Sequence, residues 1–538
     1  MKLDEARIKI NEIDEQIVNL FEERMELVVD IAKYKQQNDM PIYQPEREKQ
    51  VIEKNLAYIK NDSLKSYAKQ MMLNYMELSK DYQAEQLNLK VTTPKLPSKK
   101  YALIGEKLGH SMSVNVHKAI FRLQKIEGVY DLYQVPQNKS TSVLEAMKTL
   151  DFDGLNVTIP YKEIVIPQLD FVDDIAIKIG AVNTIQIKDN KTYGYNTDYY
   201  GFGAMLAYNN VEVTGQEFYV LGAGGSAKSV LAYLKDKGAA SVKLVTRDKT
   251  SAKRKFEDTE IIDYDEFDNI SPSYAIINTT PLGMYPNEDA MPIKLEKIMY
   301  FKVAVDLIYN PVATQFLQIA KECGLKTING LYMLVAQAVK AQEIWEGRKF
   351  EVETTNLIYE NLDKICHMRT QSIYLLGFMG TGKTTIGKEL AHLLGMKFID
   401  TDAYIEETAN MSIKEIFDTK GELYFRQLEQ EALLKLNEPA IYATGGGILT
   451  YQENYDLLRT RKCIYLKNGI ETLYERIKND SNRPLVGTKA ALKKRLINRK
   501  AAYETCCYIH IDQKNLSIHE VVNQILKELG IKYEYMYN

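Results

Sequence analysis

The residue types best suited to chemistry form a glycine-rich stretch, Gly377-Phe378-Met379-Gly380-Thr381-Gly382-Lys383-Thr384. An apolar run that predicts a strand precedes it, and an amphipathic run that predicts a helix follows it. In that context loop amides cradle phosphates, the lysine reaches the β- and γ-phosphate oxygens, and the threonine hydroxyl binds Mg²⁺. The stretch therefore predicts a phosphoryl donor site but does not identify the acceptor. The residues predicted to hold the donor are Gly380, Gly382, Lys383, Thr384 and Thr385.

A second glycine-rich turn, Val220–Ala227, also lies between a predicted strand and a predicted helix. Its amides and the helix N-terminus suit a dinucleotide pyrophosphate, although such turns also occur for packing alone. One strand later, Arg247 suits the 2′-phosphate of NADP, whereas Asp248 is a residue type that favours the free ribose hydroxyl of NAD. The residues predicted to contact the dinucleotide are Gly222, Gly224, Gly225, Ser226, Ala227, Thr246 and Arg247.

The N-terminal segment places two cations on the apolar face of a predicted helix. Apolar residues recur at spacings that indicate one long helix: Ile10, Ile13, Ile17, Leu20, Leu27 and Ile31. Arg24 stands within this stripe, and Lys35, eleven residues on, points within about 20° of the same direction. A cation on an apolar face is costly unless it is paired, so the two predict an anion site. The alternative is that both side chains extend to solvent at the edge of a bundle.

Length and composition limit the classes of protein to consider. A chain of 538 residues is too long for one core, so we expect several domains. The net charge of −3 predicts neither a nucleic-acid nor a membrane partner. The five cysteines are scattered and odd in number, which fits reduced thiols in the cytoplasm and no spaced metal site. We expect no signal peptide, and no apolar run approaches the ~20 residues of a membrane span.

The first segment, residues 3–90, contains no glycine and only two prolines, Pro41 and Pro45. The prolines are expected to end the long helix, and two more helices are expected near Glu46–Lys60 and Leu64–Leu87. So short an all-α segment predicts self-association.

The rest of the chain has a different texture. The stretch at 91–99 is expected to be a linker. After it, short β-branched and aromatic runs alternate with helical stretches, which is typical of parallel α/β architecture. A second boundary near 365–371 precedes a fresh strand, Ser372–Leu376.

The first segment resembles the small all-helical chorismate mutases. The residues that carry the resemblance are Arg7, Ile13-Asp14-Glu15, Glu23-Arg24, Lys35, Arg47-Glu48, Ser79 and Gln83. It implies that Arg7, Arg24 and Arg47 bind the chorismate carboxylates, with Ser79 also on the substrate. Lys35 and Gln83 would hydrogen-bond the breaking ether oxygen, and Glu48 the ring hydroxyl.

The mutase resemblance further implies an intertwined homodimer through these helices, because Arg7 would reach the partner's site. Gln44 departs from the family, whose best-known members have an aspartate there. An alternative therefore stays open, in which the helices are a regulatory or dimerising module that binds chorismate or prephenate without converting it.

The middle segment resembles shikimate dehydrogenases from about residue 99 to residue 361. The resemblance rests on these motifs: Gly109–Ser113, Gly154–Lys162, Gly180–Thr184, Asn196-Thr197-Asp198, Asn278–Met284, Asp306–Pro311 and Gly330–Gln337. Val114 and Lys118 depart from the family's usual proline and asparagine. The implied reaction is the reduction of 3-dehydroshikimate to shikimate with NADPH. A quinate dehydrogenase that uses NAD remains the alternative.

Reduction of a ketone needs a hydride and a proton for the oxygen. By the resemblance, Lys162 and Asp198 relay that proton and Ser111 and Ser113 bind the substrate carboxylate. The remaining residues implied for the substrate are Thr158, Asn183, Tyr309 and Gln337, and Gly330 is implied for the cofactor.

The last segment resembles shikimate kinases to about residue 512. The motifs are Asp400-Thr401-Asp402, Gly421-Glu422, Phe425-Arg426, Glu429, Thr444–Gly447, Arg483-Pro484-Leu485, Arg499 and Tyr503. The resemblance implies transfer of the ATP γ-phosphoryl group to shikimate, with Asp402 as base and Asp400 supporting Mg²⁺. Arg426 and Arg499 would bind the shikimate carboxylate near Gly446, Arg483 would neutralise transferring charge, and Arg476 would lie near the adenine.

Together these resemblances predict a multidomain chain: an all-α mutase, then an α/β dehydrogenase with a substrate lobe and a Rossmann lobe, then an α/β P-loop kinase. The predicted bounds are about 1–90 for the mutase, 91–99 for the linker, 100–366 for the dehydrogenase and 370–538 for the kinase. Within the dehydrogenase, the substrate lobe is placed at about 100–203 and 335–366, and the Rossmann lobe at about 204–334. The substrates cohere, because the product of the second reaction is the substrate of the third.

Overall fold

A computed structural model of the chain describes residues 3–37, 45–59, 61, 64–86, 99–109, 111–139, 142–478 and 488–532. The chain divides into two compact units, Met1–Ser98 and Lys99–Asn538. Among the described residues, every helix is too short or too polar to cross a membrane.

The first unit contains the expected helices: α1 (Leu3–Gln37), α2 (Pro45–Leu56) and α3 (Lys65–Gln86). Both α1 and α2 pack against α3. The expectation that Pro45 helps to end the long helix is wrong, because α1 ends at Gln37 and Pro45 is the first residue of α2. Proline suits that position, since the first amides of a helix have no partner within the helix and its fixed φ is helical.

The apolar stripe of α1 is exposed in the single chain. Ile10, Ile13 and Leu20 are 55%, 53% and 63% exposed, whereas Val28 and Ala32 on another face are buried. The helix thus has two apolar faces, and one of them lacks cover from the described part of its own chain.

The second unit contains three sheets, built from the β-branched runs that the sequence pattern indicated. The first is mixed, with β5 antiparallel to both neighbours, in the order β2 (Gly128–Gln134), β1 (Lys99–Gly105), β3 (Gly154–Val157), β5 (Thr184–Lys188), β6 (Lys191–Tyr195), β4 (Phe171–Val172). The second is parallel: β12 (Lys326–Ile328), β11 (Val303–Asp306), β10 (Ala275–Asn278), β7 (Glu217–Leu221), β8 (Ser241–Val245), β9 (Glu260–Ile262). The third is also parallel: β14 (Lys397–Asp400), β15 (Ala440–Ala443), β13 (Ile373–Leu376), β16 (Lys462–Lys467), β17 (Ile509–Asp512).

Helices connect and cover these sheets. The helices of the middle segment are α4 (Ser113–Gln124), α5 (Val143–Thr149), α6 (Asp174–Ile179), α7 (Thr197–Tyr208), α8 (Gly225–Asp236), α9 (Lys249–Lys255), α10 (Tyr264–Phe267), α11 (Leu295–Ile298), α12 (Gln315–Glu322), α13 (Leu331–Glu346) and α14 (Val352–Met368). Those around the third sheet are α15 (Lys383–Leu394), α16 (Thr401–Ala409), α17 (Ile413–Lys435, broken at Gly421), α18 (Gln452–Leu458), α19 (Ile470–Ile477), α20 (Lys489–Cys506) and α21 (Ile518–Glu528).

Helices α7 and α13 cross closely at Gly201. A Cβ at that position would lie 2.8 Å from the carbonyl oxygen of Met333 and 2.9 Å from the Cβ of Gln337. Only a residue without a side chain lets the backbones approach this far. The crossing brings the N-terminal turn of α7 close to Gln337 on α13.

One apolar core joins the middle and last segments. It includes Ile120 of α4, Val335 of α13, Leu362 of α14, Leu375 of β13 and Ile525 of α21, all buried. Two polar contacts reinforce it: Lys364 Nζ donates to the carbonyl of Gly530 at 2.9 Å, and the amide of Lys532 donates to Asn361 Oδ1 at 2.9 Å. Helix α14 thus packs in a core common to both segments.

We predict that this common core makes the two segments unfold together. Ile525→Ala in α21 should lower the free energy of unfolding by about 2–5 kcal/mol. The single tryptophan of the chain, Trp345 on α13, reports on the middle segment by fluorescence, and its urea midpoint should fall in this variant.

The control is Leu434→Ala, because Leu434 is 61% exposed and its loss should leave the midpoint unchanged. An unchanged Trp345 midpoint in Ile525→Ala, together with an earlier transition by circular dichroism, would mean that the segments unfold separately.

Candidate active sites

Lys162 and Asp198 form the ion pair that the middle segment requires. Lys162 Nζ lies 2.6 Å from Asp198 Oδ2, and the two side chains are 15% and 12% exposed. Lys162 lies on the turn after β3, where its carbonyl accepts the amide of Val182 at 2.8 Å. Asp198 stands in the first turn of α7, which Asn196 caps by accepting the amide of Tyr199. The pair is thus held by two elements and screened from most water.

A hydrogen-bonded group next to Asp198 includes two more predicted substrate residues. Asn183 Oδ1 accepts from the amide of Thr197 at 2.7 Å. The hydroxyl of Thr197 donates to Gln337 Oε1 at 3.4 Å. The structure therefore brings Asn183 and Gln337 to the residue that precedes Asp198.

The other predicted substrate residues are placed less directly. Ser111 Oγ donates to Ser113 Oγ at 3.0 Å, so the two serines lie side by side. Thr158 follows β3, and its amide donates to the carbonyl of Ile104. Tyr309 is half-buried and packs against the common apolar core, and none of the described hydrogen bonds joins it to Lys162 or Asp198.

The turn after β7 has the shape that a pyrophosphate needs. Gly222 has a φ of 95°, in the left-handed region that favours glycine. A Cβ added to Gly224 or Gly225 would meet no atom within 4 Å, so open space surrounds both α-carbons at the start of α8. Ser226 follows them, but the Ala227 side chain is buried in the core, which leaves only its backbone for a ligand.

Gly330 packs against the backbone after β11. A Cβ there would lie 2.0 Å from the carbonyl oxygen of Leu307, so the position demands glycine because of close packing at the start of α13. Thr246, at the end of β8, is buried, and its hydroxyl accepts the amide of Asp248 at 3.3 Å.

Asp248 has a structural role that the sequence left open. Its carboxylate accepts the amide of Ser251 at 2.9 Å and caps helix α9, and both Asp248 and the neighbouring Arg247 are exposed. One oxygen of the carboxylate is therefore engaged in the cap. The arrangement favours an anion beside Arg247.

In the last segment, the loop after β13 has the geometry of a phosphate cradle. Gly380 and Gly382 adopt φ of 85° and 79°. Lys383 Nζ donates to the carbonyls of Gly377 and Phe378 at 2.8 and 3.2 Å, and Thr385 lies in the same first turn of α15. Arg476 Nη1 donates to the carbonyl of Gly380 at 3.2 Å, which places Arg476 against the loop.

Thr384 and Asp400 meet as a metal-supporting pair would. Thr384 Oγ1 donates to Asp400 Oδ2 at 2.7 Å. The other oxygen of Asp400 accepts the amide of Asp402 at 3.1 Å at the start of α16. A hydroxyl and a carboxylate oxygen are hard donors of the kind that Mg²⁺ prefers, so the residues present fit that ion.

The turn after β15 is surrounded by the predicted acceptor residues. The carbonyl of Gly446 accepts from Arg499 Nη1 at 2.8 Å and from the Tyr503 hydroxyl at 2.7 Å. A Cβ at Gly445 would lie 2.7 Å from Asp402 Oδ1. A Cβ at Gly447 would lie 2.5 Å from both terminal nitrogens of Arg426. The structure therefore gathers Asp402, Arg426 and Arg499 around one glycine turn.

Glu429 belongs to a motif of the last segment, but the sequence alone does not indicate its role. Its Oε2 lies 2.6 Å from Arg426 Nη1, and Glu422 Oε1 lies 2.7 Å from Arg426 Nη2. Burial raises the pKa of Glu429 to about 7, against the opposing effect of Arg426. The spacing of three residues from Arg426 on one helix was the signal that could have assigned it as the partner.

In the helical unit, Arg24 turns toward α3 and not toward bulk water. Its Nη1 donates to the hydroxyl of Ser79, and burial lowers the pKa of Arg24. Gln83, one turn beyond Ser79, is 6% exposed, and its Oε1 is buried without a hydrogen-bond partner among the described residues. A buried amide left in this state is typical of a ligand site. Lys35 is half-buried.

The remaining predicted residues are Arg7, Arg47, Glu48 and Arg483. Arg47 is exposed on α2. Arg7 and Glu48 lie within α1 and α2, but their side chains lie outside the described residues, as does Arg483 of the last segment.

Comparison with known proteins finds three family models in order along the chain. Residues 6–84 match chorismate mutase type II, residues 103–185 match the shikimate dehydrogenase substrate binding domain, and residues 379–530 match shikimate kinase. This order confirms the resemblances that the motifs indicated, and with them the multidomain architecture.

Curated relatives match the middle of the chain. A shikimate dehydrogenase (NADP(+)) of Clostridium perfringens is 52% identical over 266 residues, which are 49% of this chain and 98% of that protein. The shikimate dehydrogenase (NADP(+)) of Bacillus subtilis is 32% identical over 263 residues, 47% of this chain and 94% of that protein.

One solved structure combines two of these families. It is the crystal structure of a chorismate mutase/shikimate 5-dehydrogenase fusion protein from Clostridium acetobutylicum, 44% identical with a TM-score of 0.50. The match covers 51% of this chain and all of that one. The chain therefore belongs to the shikimate dehydrogenase family, with a chorismate mutase type II region before the dehydrogenase and a shikimate kinase region after it.

Proposed function

We propose that the chain catalyses three reactions of aromatic biosynthesis. They are the rearrangement of chorismate to prephenate, the NADPH-dependent reduction of 3-dehydroshikimate to shikimate, and the ATP-dependent 3-phosphorylation of shikimate. The observation that supports the proposal most directly is the 2.6 Å contact between Lys162 and Asp198. It joins two motifs 36 residues apart in sequence into the acid–base pair that ketone reduction needs.

In the dehydrogenase reaction, the protein positions the substrate and protonates its carbonyl oxygen. The Lys162 ammonium polarises the substrate carbonyl and donates a proton to its oxygen, and Asp198 holds the lysine in place. Ser111 and Ser113 bind the carboxylate, while Asn183 and Gln337 bind ring hydroxyls; Thr158 and Tyr309 complete the pocket. NADPH, which supplies the hydride when bound, would be held by the amides of Gly224 and Gly225 and by Arg247.

Preference for NADP over NAD is supported by the cap that Asp248 makes. Its carboxylate accepts the Ser251 amide at 2.9 Å and is turned to helix α9, so the cation next to it is free to bind a 2′-phosphate. The relatives from Clostridium perfringens and Bacillus subtilis bear NADP(+) in their names. These observations count against the quinate and NAD alternative.

In the kinase, the acceptor is held between two arginines and a base. Arg426 and Arg499 bind the shikimate carboxylate beside the turn at Gly446, and Asp402 orients the acceptor hydroxyl and takes its proton. Lys383, Thr384 and Asp400 would hold the phosphates and the Mg²⁺ of ATP, whose γ-phosphoryl group is transferred. The Lys383 ammonium must leave the loop carbonyls to reach a phosphate. Arg476 would flank the adenine and Arg483 would neutralise transferring charge.

In the mutase, catalysis requires no cofactor, because a pericyclic step needs only a compact conformer and charge stabilisation. Arg24 and Ser79 form one wall of the site, with Gln83 and Lys35 on the ether oxygen. Arg7, Arg47 and Glu48 complete it, with Arg7 contributed by a second copy of the chain.

A homodimer through α1 is supported by the exposed stripe on that helix. Ile10, Ile13, Leu20 and Leu27 are each more than half exposed in the single chain, although an apolar stripe of this length is normally covered. The small helical unit gains a sufficient core only if another copy covers it. We also expect the protein to be cytoplasmic, as five free thiols favour.

A three-reaction assay on the purified full-length protein tests the proposal. Arg24→Ala, Lys162→Ala and Lys383→Ala should lower mutase, dehydrogenase and kinase turnover respectively by about 10²–10⁴-fold, because each removes a charge that acts on the reacting group. The other two activities of each variant should stay within about twofold, as expected of distant sites.

Matched controls are the exposed Lys33→Ala, Lys188→Ala and Lys388→Ala, which should lower none of the three activities. Tight chorismate binding by the wild type without conversion would instead make the helical unit a sensor. Oxidation of quinate with NAD in preference to shikimate with NADP would contradict the dehydrogenase assignment.

We predict that Leu20→Asp disrupts the homodimer. A charge buried in an apolar interface is costly, so the apparent mass in sedimentation equilibrium should fall toward that of one chain at micromolar concentration. Mutase activity should fall with it, while dehydrogenase activity should persist. Glu22→Gln, on an exposed position nearby, is the control; a monomeric wild type would contradict the proposal.

We predict that Glu429 makes the kinase less stable as pH rises. Burial raises its pKa to about 7 from an ordinary 4.5, so between these values the folded chain holds a proton that the unfolded chain has lost. The free energy of unfolding therefore falls as pH increases through that window. Glu429→Gln should flatten this dependence in thermal melts from pH 5 to 7.5, whereas the exposed Glu431→Gln should reproduce the wild-type slope.

A further inference from the structure

Two consecutive residues of helix α8 contact groups that neighbour Lys162 and Asp198. Lys228 Nζ lies 3.0 Å from Glu163 Oε1 and 3.5 Å from the carbonyl oxygen of Gly180. Ser229, fully buried, donates its hydroxyl to Asn196 Oδ1 at 3.2 Å. The function derived above uses none of these contacts.

The groups that Lys228 contacts belong to the loops that hold the catalytic lysine. Glu163 directly follows Lys162 in the chain. Gly180 lies two residues before Val182, whose amide donates to the carbonyl of Lys162 at 2.8 Å. Lys228 therefore contacts both the turn that contains Lys162 and the loop at 180–182, which is hydrogen-bonded to that turn.

The group that Ser229 contacts holds the aspartate. Asn196 caps α7, the helix that carries Asp198 in its first turn, and its amide nitrogen donates to the carbonyl of Ala181 at 2.9 Å. Lys228 and Ser229 thus contact residues that hold Lys162 and Asp198 in place, and both contacts come from helix α8.

The same helix begins at the turn proposed to receive the dinucleotide. Gly224 is its N-cap, and Lys228 stands in its first turns. A displacement of the α8 N-terminus on cofactor binding would therefore be transmitted to Lys162 and Asp198 through side chains only one turn away.

We propose that Lys228 is a positioning residue that couples occupancy of the dinucleotide turn to the placement of the Lys162–Asp198 pair. The proposal rests on the dehydrogenase function proposed above. The Lys228 side chain is 13% exposed and that of Glu163 is 52% exposed. Glu163 is half exposed, and Lys228→Met keeps the apolar stem of the lysine while it removes the charge, so this variant should fold.

A second lysine ion pair that involves α8 supplies a matched control. Lys178 of α6 pairs with Asp236 near the end of α8, more than two turns from the glycine-rich turn. Lys178→Met removes the same charge as Lys228→Met, and the contact of Asp236 with the Tyr199 hydroxyl does not involve Lys178. Unlike Lys228, Lys178 makes none of the described polar contacts with the Lys162 loop.

The experiment measures the coupling between the two ligands in the full-length protein. NADPH is titrated by its own fluorescence with and without saturating shikimate, which forms a dead-end complex. The ratio of the two Kd values reports the coupling at the dinucleotide site alone, whatever shikimate does in the kinase.

In the wild type, shikimate should tighten NADPH binding, and Lys228→Met and Glu163→Gln should each reduce that ratio by about tenfold. Lys178→Met should keep the wild-type ratio. The charge-exchanged double variant, Lys228→Glu with Glu163→Lys, should recover part of the coupling. In steady state, Lys228→Met should raise the KM for 3-dehydroshikimate more than it lowers kcat.

Two outcomes would overturn the proposal: a Lys228→Met ratio equal to that of Lys178→Met, or a wild type that binds both ligands without coupling. Failure of the dehydrogenase assignment looks different, because the wild type would then neither bind NADPH nor reduce 3-dehydroshikimate.

Discussion

Each candidate site depends on a cation that is withdrawn from water and held by protein groups before a ligand arrives. Lys162 lies against Asp198, Arg426 against Glu429, and Arg24 against Ser79. Withdrawal of a charge from water is costly unless a partner compensates for it, so these contacts help to keep the cations in place. The partner also fixes the direction from which a carboxylate or carbonyl must approach, which is the preorganisation that such chemistry requires.

The order of the strands in the sheets brings the site residues close together. In the kinase, β13, β14 and β15 are parallel neighbours, so their carboxyl ends meet at one edge. The phosphate loop follows β13, Asp400 ends β14, and the Gly445–Gly447 turn follows β15. Three stretches that are far apart in sequence therefore meet because of strand order alone. In the dehydrogenase, the close crossing of α7 and α13 at Gly201 does the same for Asp198 and Gln337.

Much of this could be predicted because the signals are local. Strands such as Val303–Asp306 follow β-branched runs, and the glycine-rich turns require conformations that few other residues adopt. The helix cap at Asp248 could also have been predicted, since aspartate is a preferred residue type at the start of a helix. The contact of Lys228 with Glu163 could not be predicted. The two residues are 65 positions apart and lie on connections in two different sheets, and no sequence periodicity indicates such a contact.

The two departures from the family pattern in α4 have different physical settings. Val114 packs against the aromatic cluster that contains Tyr101 and Phe121. Lys118 is exposed and lines a cleft of about 830 Å³ together with Arg122 of the same helix and His392 of α15. In a dehydrogenase without a kinase this face of α4 would have no α15 beside it. Lys118 therefore lies near α15 of the last segment, and it is also close in sequence to the substrate serines.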